Sequence, residues 1–136
     1  MSRIINLESA GKERTHLTKI IALAVRELAQ QNEYGNESRD MAAFIALALA
    51  IISETIDVSV TAWEKRGYWV KADKFRMEWA WSGAFAAKMK QAVMNEDRET
   101  INRIATQVAQ KLNNVRVASG HRMGRPWAGA WKELKK

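Results

Sequence analysis

The sequence predicts an all-α fold, an up-and-down four-helix bundle with a short C-terminal helix. Three observations carry that prediction. Apolar residues recur at three- and four-residue spacing along most of the chain, and no period-two run is long enough for a sheet. Proline is absent before Pro126, so no helix interior is broken. Four amphipathic stretches are joined by short turns, the arrangement of antiparallel helical neighbours.

The first helix is expected from about Ala10 to Gln31, with Leu17, Ile20, Ile21, Ala24, Val25 and Leu28 on one face. It stops at QNEYGNES, where Gly35 can take a positive φ and Asn36 or Ser38 can cap the next helix. The second helix is expected from about Arg39 to Arg66. Ile45, Leu49, Ile52, Ile56, Val60 and Trp63 form one apolar stripe, and Phe44, Leu47, Ile51 and Val58 form a second, roughly opposite. A helix apolar on two sides is central in its fold or shared with another chain.

The third helix spans about Trp69 to Met94. Ala72, Phe75, Trp79, Ser82, Ala86, Met89 and Val93 alternate three- and four-residue steps, a seam for bundle packing. Val70, Met77, Trp81 and Ala84 lie on its far side. The fourth helix is expected to start at Asn95, followed by Glu96, Asp97 and Glu99 where the dipole favours acids. Its stripe is Ile101, Ile104, Val108 and Leu112, and it ends near Asn113 and Asn114. Pro126 can open a last short helix on which Trp127, Trp131 and Leu134 share a face.

These elements divide the chain into a bundle over residues 1–119 and a basic tryptophan-bearing segment over residues 120–136. Net charge is +7, but residues 1–114 carry 16 Lys and Arg against 14 Asp and Glu, whereas residues 115–136 carry 6 against 1. The excess therefore sits in the C-terminal segment, where it would attract an anionic partner. Leaving both of its tryptophans in water would forfeit on the order of 2 kcal/mol each. The segment is therefore expected to dock, on its own bundle or on a second copy. Arg122 and Arg125 would then pair with the acidic stripe of the second helix, Glu54, Asp57 and Glu64.

With no cysteine, disulfides, thiolate metal sites and cysteine nucleophiles are excluded. The longest apolar run, Met41 to Ile52, is twelve residues against about 20 for a spanning helix. No transmembrane segment is read, and the N-terminus has no apolar leader core. A cytoplasmic location is the corresponding expectation.

Catalytic constellations are sparse. ERTH, Glu13 to His16, is one Glu-x-x-His where a di-metal bundle uses two, so no metal or other cofactor is expected. Glu54, Asp57 and Glu64 form an acidic stripe on the second helix. Such a stripe is a solvated face, a set of partners for basic residues, or a carboxylate cleft fit for acid–base work. No Gly-x-Ser-x-Gly elbow is present. The segment RGYWVKADKFRMEWAW interleaves aromatic rings with cations, as single-strand binders do. Phe75 and Trp79 already belong to the seam, which leaves Trp69 and Trp81 as surface or interface candidates.

Three functional readings fit these features. A self-associating interaction or structural module, a homodimer or higher oligomer with a further protein partner, uses the spare apolar stripes together with Trp69, Trp81, Arg122, Arg125, Trp127 and Trp131. A nucleic-acid binder would use the basic tail, with salt-sensitive affinity. An enzyme or small-molecule binder would use a cleft near Asp57 and Glu64. The first ranks highest and the enzyme last.

Overall fold

The computed structural model of the chain describes residues 7–117 and 123–136. It is all-α, with four long helices and one short one: α1 (Leu7–Ala29), α2 (Asn36–Lys65), α3 (Trp69–Met94), α4 (Arg98–Lys111) and α5 (Ala130–Leu134). Short turns between antiparallel neighbours make the four-helix bundle, and α5 folds back onto α2.

The apolar stripes explain the arrangement. Ile45, Leu49 and Ile52 on α2 are fully buried, as are Ile21 and Leu23 on α1, Met89 and Val93 on α3, and Ile101 and Val108 on α4. Burial of each such side chain contributes about 1.5–3 kcal/mol. Helix α2 is the axis of the molecule, packed by α1, α3 and α5, while α4 lies across α1 and α3. An 18-residue window of α2 has a mean hydropathy of 1.9, so by length and composition it could cross a membrane; 56% of that window is buried inside the bundle. Its second stripe is only half-buried: Phe44, Leu47, Ile51 and Val58 all keep some exposure.

At the α1–α2 turn the expected end chemistry is corrected: Gly35 is extended, at φ −133°, α2 starts at Asn36, and no side chain caps it. At the end of α2, Gly67 takes φ 81°, its N–H donates to the Glu64 carbonyl, and the Tyr68 N–H donates to the Trp63 carbonyl. This is a Schellman closure, and it reverses the chain in three residues. The same pair of bonds ends α3, from Glu96 N–H to Val93 and from Asp97 N–H to Ala92. There the left-handed position is held by Glu96, at φ 51°.

That second closure corrects the expected start of α4. Residues 95–97 are used by the turn, so Asp97, not Asn95, caps the helix, accepting from the Thr100 N–H at 3.2 Å and the Thr100 hydroxyl at 2.6 Å. Those two bonds hold the Asp97 carboxyl below its usual pKa. A further correction concerns Pro126. It stands in a run of turns, and α5 begins four residues later behind Gly129, at φ 81°.

Helix lengths decide what is left uncovered. At 1.5 Å per residue, the 30 residues of α2 span about 45 Å and the 14 of α4 only about 21 Å. Helix α4 therefore covers the half of the bundle near the α3–α4 turn. Among the described residues, the half near the α2–α3 turn has no fourth helix over it.

Candidate functional site

Where α4 stops, a row of aromatic rings takes over. Trp63 of α2 meets Phe75 of α3 edge-on at 4.9 Å between ring centroids, and Phe75 meets Trp79 at 6.4 Å. Trp79 stacks with Trp81 at 5.6 Å, and Trp81 meets Phe85 at 5.9 Å. All five rings are half-buried, so seam residues Phe75 and Trp79 belong neither wholly to the core nor wholly to the surface. Three cations stand over the row: Arg14 over Phe75 at 4.9 Å, Lys71 over Trp63 at 4.6 Å and Lys88 over Phe85 at 5.9 Å. Arg14 also donates to the Thr55 hydroxyl at 3.1 Å, and burial lowers its pKa.

The outer face of α3 is exposed. Met77 is 77% exposed, and Ala80, Ala84 and Ala87 are exposed along the same line at three- and four-residue spacing. Trp81 flanks this line. At the tip of the α2–α3 hairpin, Tyr68, Trp69 and Val70 are 54%, 61% and 70% exposed. Of the expected interaction residues, Trp69 is thus at the surface and Trp81 straddles the ring row and the outer face.

The C-terminal segment forms a second constellation, on the N-terminal half of α2. Trp127 and Leu134 are buried, and Trp131 is half-buried. The Trp127 indole N–H donates to Glu37 at 3.4 Å, and Arg125 forms an ion pair with the same carboxylate at 3.0 Å. Asp40 accepts from two backbone N–H groups at the start of α5, Trp131 at 2.9 Å and Gly129 at 3.3 Å. Arg39 and Lys135 stand over the Trp131 ring at 4.9 and 5.0 Å. Arg122 lies outside the described residues.

The pairing expected of Arg125 is therefore corrected. Its partner is Glu37, not Glu54, Asp57 or Glu64, because the segment returns beside the first turns of α2. Glu54 stands 17 residues further on, about 25 Å along the axis. Nothing in the sequence pattern singles out Glu37 and Asp40. Acids at a helix start already have a local reason to be there, so neither is marked as a long-range partner.

The acidic stripe does not converge on one site. Glu54 and Asp57 are exposed. Asp57 borders a shallow depression with Val58, Thr61, Ala62 and Lys65. Glu64 is bound instead to Arg76 of α3 at 2.8 Å, and Arg76 also pairs with Asp73. These two carboxylates raise the Arg76 pKa, its hydrogen bond to Asp73 foremost. His16 is exposed beside half-buried Glu13, and among the described residues no three His, Asp or Glu side chains cluster as metal ligands. A groove of about 450 Å³ runs between α2, α3 and α5, lined mainly by Ala46, Leu47, Ala50, Gly83, Ala86 and Leu134. Ser53, Lys90, Glu133 and Lys136 supply the polar part of its lining. No family model, curated protein or solved structure matches the chain.

Proposed function

We propose that this protein is a self-associating helical module whose work is binding, with the outer face of α3 as its contact surface. The carrying observation is the exposed line Met77, Ala80, Ala84 and Ala87. It repeats at heptad spacing, is flanked by Trp81, and at Ala87 adjoins the rim of the groove between α2, α3 and α5. Small residues let a second helix approach closely, and Met77 and Trp81 supply apolar area at its edge.

Light scattering during gel filtration tests this reading. The full chain is expected to run at twice its 15.4 kDa mass or more, and Ala84→Glu is expected to run as a monomer with unchanged helicity. Because Ala84 is exposed, that substitution leaves the fold of a single copy intact. A monomeric full chain at high concentration would overturn the reading.

A further inference from the structure

We infer that the tip of the α2–α3 hairpin binds the surface of a membrane containing anionic lipid. The Schellman turn at Gly67 ends α2 and starts α3 within three residues, so Tyr68, Trp69 and Val70 are presented together at one end of the bundle. Four cations surround them, Lys65, Arg66, Lys71 and Lys74, all exposed. None of the four forms an ion pair among the described residues. Glu64 and Asp73 are engaged by Arg76, and Glu78 borders the same depression as Val70, Lys71 and Lys74, so the four cations face one further acid and the tip keeps a net positive field.

A bilayer interface suits all three kinds of side chain at once. Tryptophan and tyrosine settle at the headgroup level, and an aliphatic side chain enters the acyl boundary. Lysine and arginine reach back to lipid phosphates along their apolar stems. A nucleic acid would match the cations and rings but offer nothing to Val70, which is 70% exposed. Self-pairing of two tips would bring eight cations together, a repulsive contact. The tip residues are distinct from Met77, Ala80 and Ala84, so this inference does not depend on the self-association proposed above.

The test is sedimentation of the full chain with phosphatidylcholine vesicles, with and without 30% phosphatidylserine. Binding is expected to the anionic vesicles, at least about tenfold tighter than to the neutral ones, and to weaken with salt. Trp69→Ser and the double variant Lys65→Gln/Lys74→Gln should each lower affinity about tenfold or more while keeping the melting temperature of the full chain, since all three positions are exposed. Ala84→Glu should keep vesicle binding whatever it does to the mass. Equal binding to both vesicle types, or none, would overturn the inference. So would tight binding to a single-stranded oligonucleotide that is lost in Trp69→Ser while anionic vesicles leave the full chain unbound.

Discussion

Asp40 stands in the second turn of α2, and its two oxygens reach across to the Gly129 and Trp131 N–H groups, which α5 cannot satisfy internally. It is a helix cap supplied from another element. Asp40→Ala is expected to cost about 1 kcal/mol in urea denaturation, the usual effect of losing a capping side chain. Asp40→Asn keeps an acceptor and should cost less. Glu37 has a comparable double role, accepting from the Trp127 indole while it pairs with Arg125. The indole bond matters more than the exposed ion pair, because Trp127 is 3% exposed and a buried N–H without a partner is costly. Tyr34, half-buried at the same end of the bundle, has its pKa raised mainly by burial.

At the scale of elements, α3 lies close against Ser53 of α2 at Gly83. A Cβ there would stand 3.0 Å from the Ser53 hydroxyl oxygen and 3.7 Å from the Ser53 Cβ. Two effects oppose each other in Gly83→Ala. Helix propensity favours alanine by about 1 kcal/mol, and crowding against one hydroxyl works the other way. Replacing the hydroxyl should separate them. In a Ser53→Ala background, Gly83→Ala is expected to stabilise by about 1 kcal/mol, and in the native background by less. Gly83→Leu should destabilise by roughly 1–3 kcal/mol in either background, since a larger side chain forces the helices apart. Equal effects of Gly83→Ala in both backgrounds would show that Ser53 is not what limits the approach.

Across the whole molecule, the outcome is set by unequal helix lengths and by the return of the C-terminal segment. Helix α4 covers half of the bundle, the ring row from Trp63 to Phe85 partly fills the other half, and α5 covers part of the second apolar stripe of α2. A chain ending at Ser119 loses the buried Trp127, Ala130 and Leu134. At about 2 kcal/mol for each large side chain, the melting temperature should fall by roughly 10 °C or more. Because those side chains pack on their own α2, the shortened chain should keep the oligomeric state of the full one. Dissociation on truncation would mean that the segment docks on a second copy instead. The bound segment also spends part of its charge internally: Arg125 on Glu37 and Lys135 on the Trp131 ring.

Local sequence determined the helices themselves. Apolar spacing marked the stripes of all four long helices and the full extent of α3, because periodicity and helix-end chemistry act over a few residues and need no partner to be read. It also marked Trp69 and Trp81 as poorly placed for a core. Boundaries at 95–97 slipped because Glu96 adopts a left-handed conformation usually left to glycine, so letters alone did not betray the turn. The acidic stripe looked collective in sequence, yet Glu64 found Arg76 while Glu54 and Asp57 stayed in solvent. Only the tertiary structure decided which acid met which base, which end of the bundle lacked a fourth helix, and which half of α2 received the C-terminal segment. Those outcomes depend on distances between residues up to 91 positions apart in the chain, set by how whole helices pack. A spacing pattern carries no term for them.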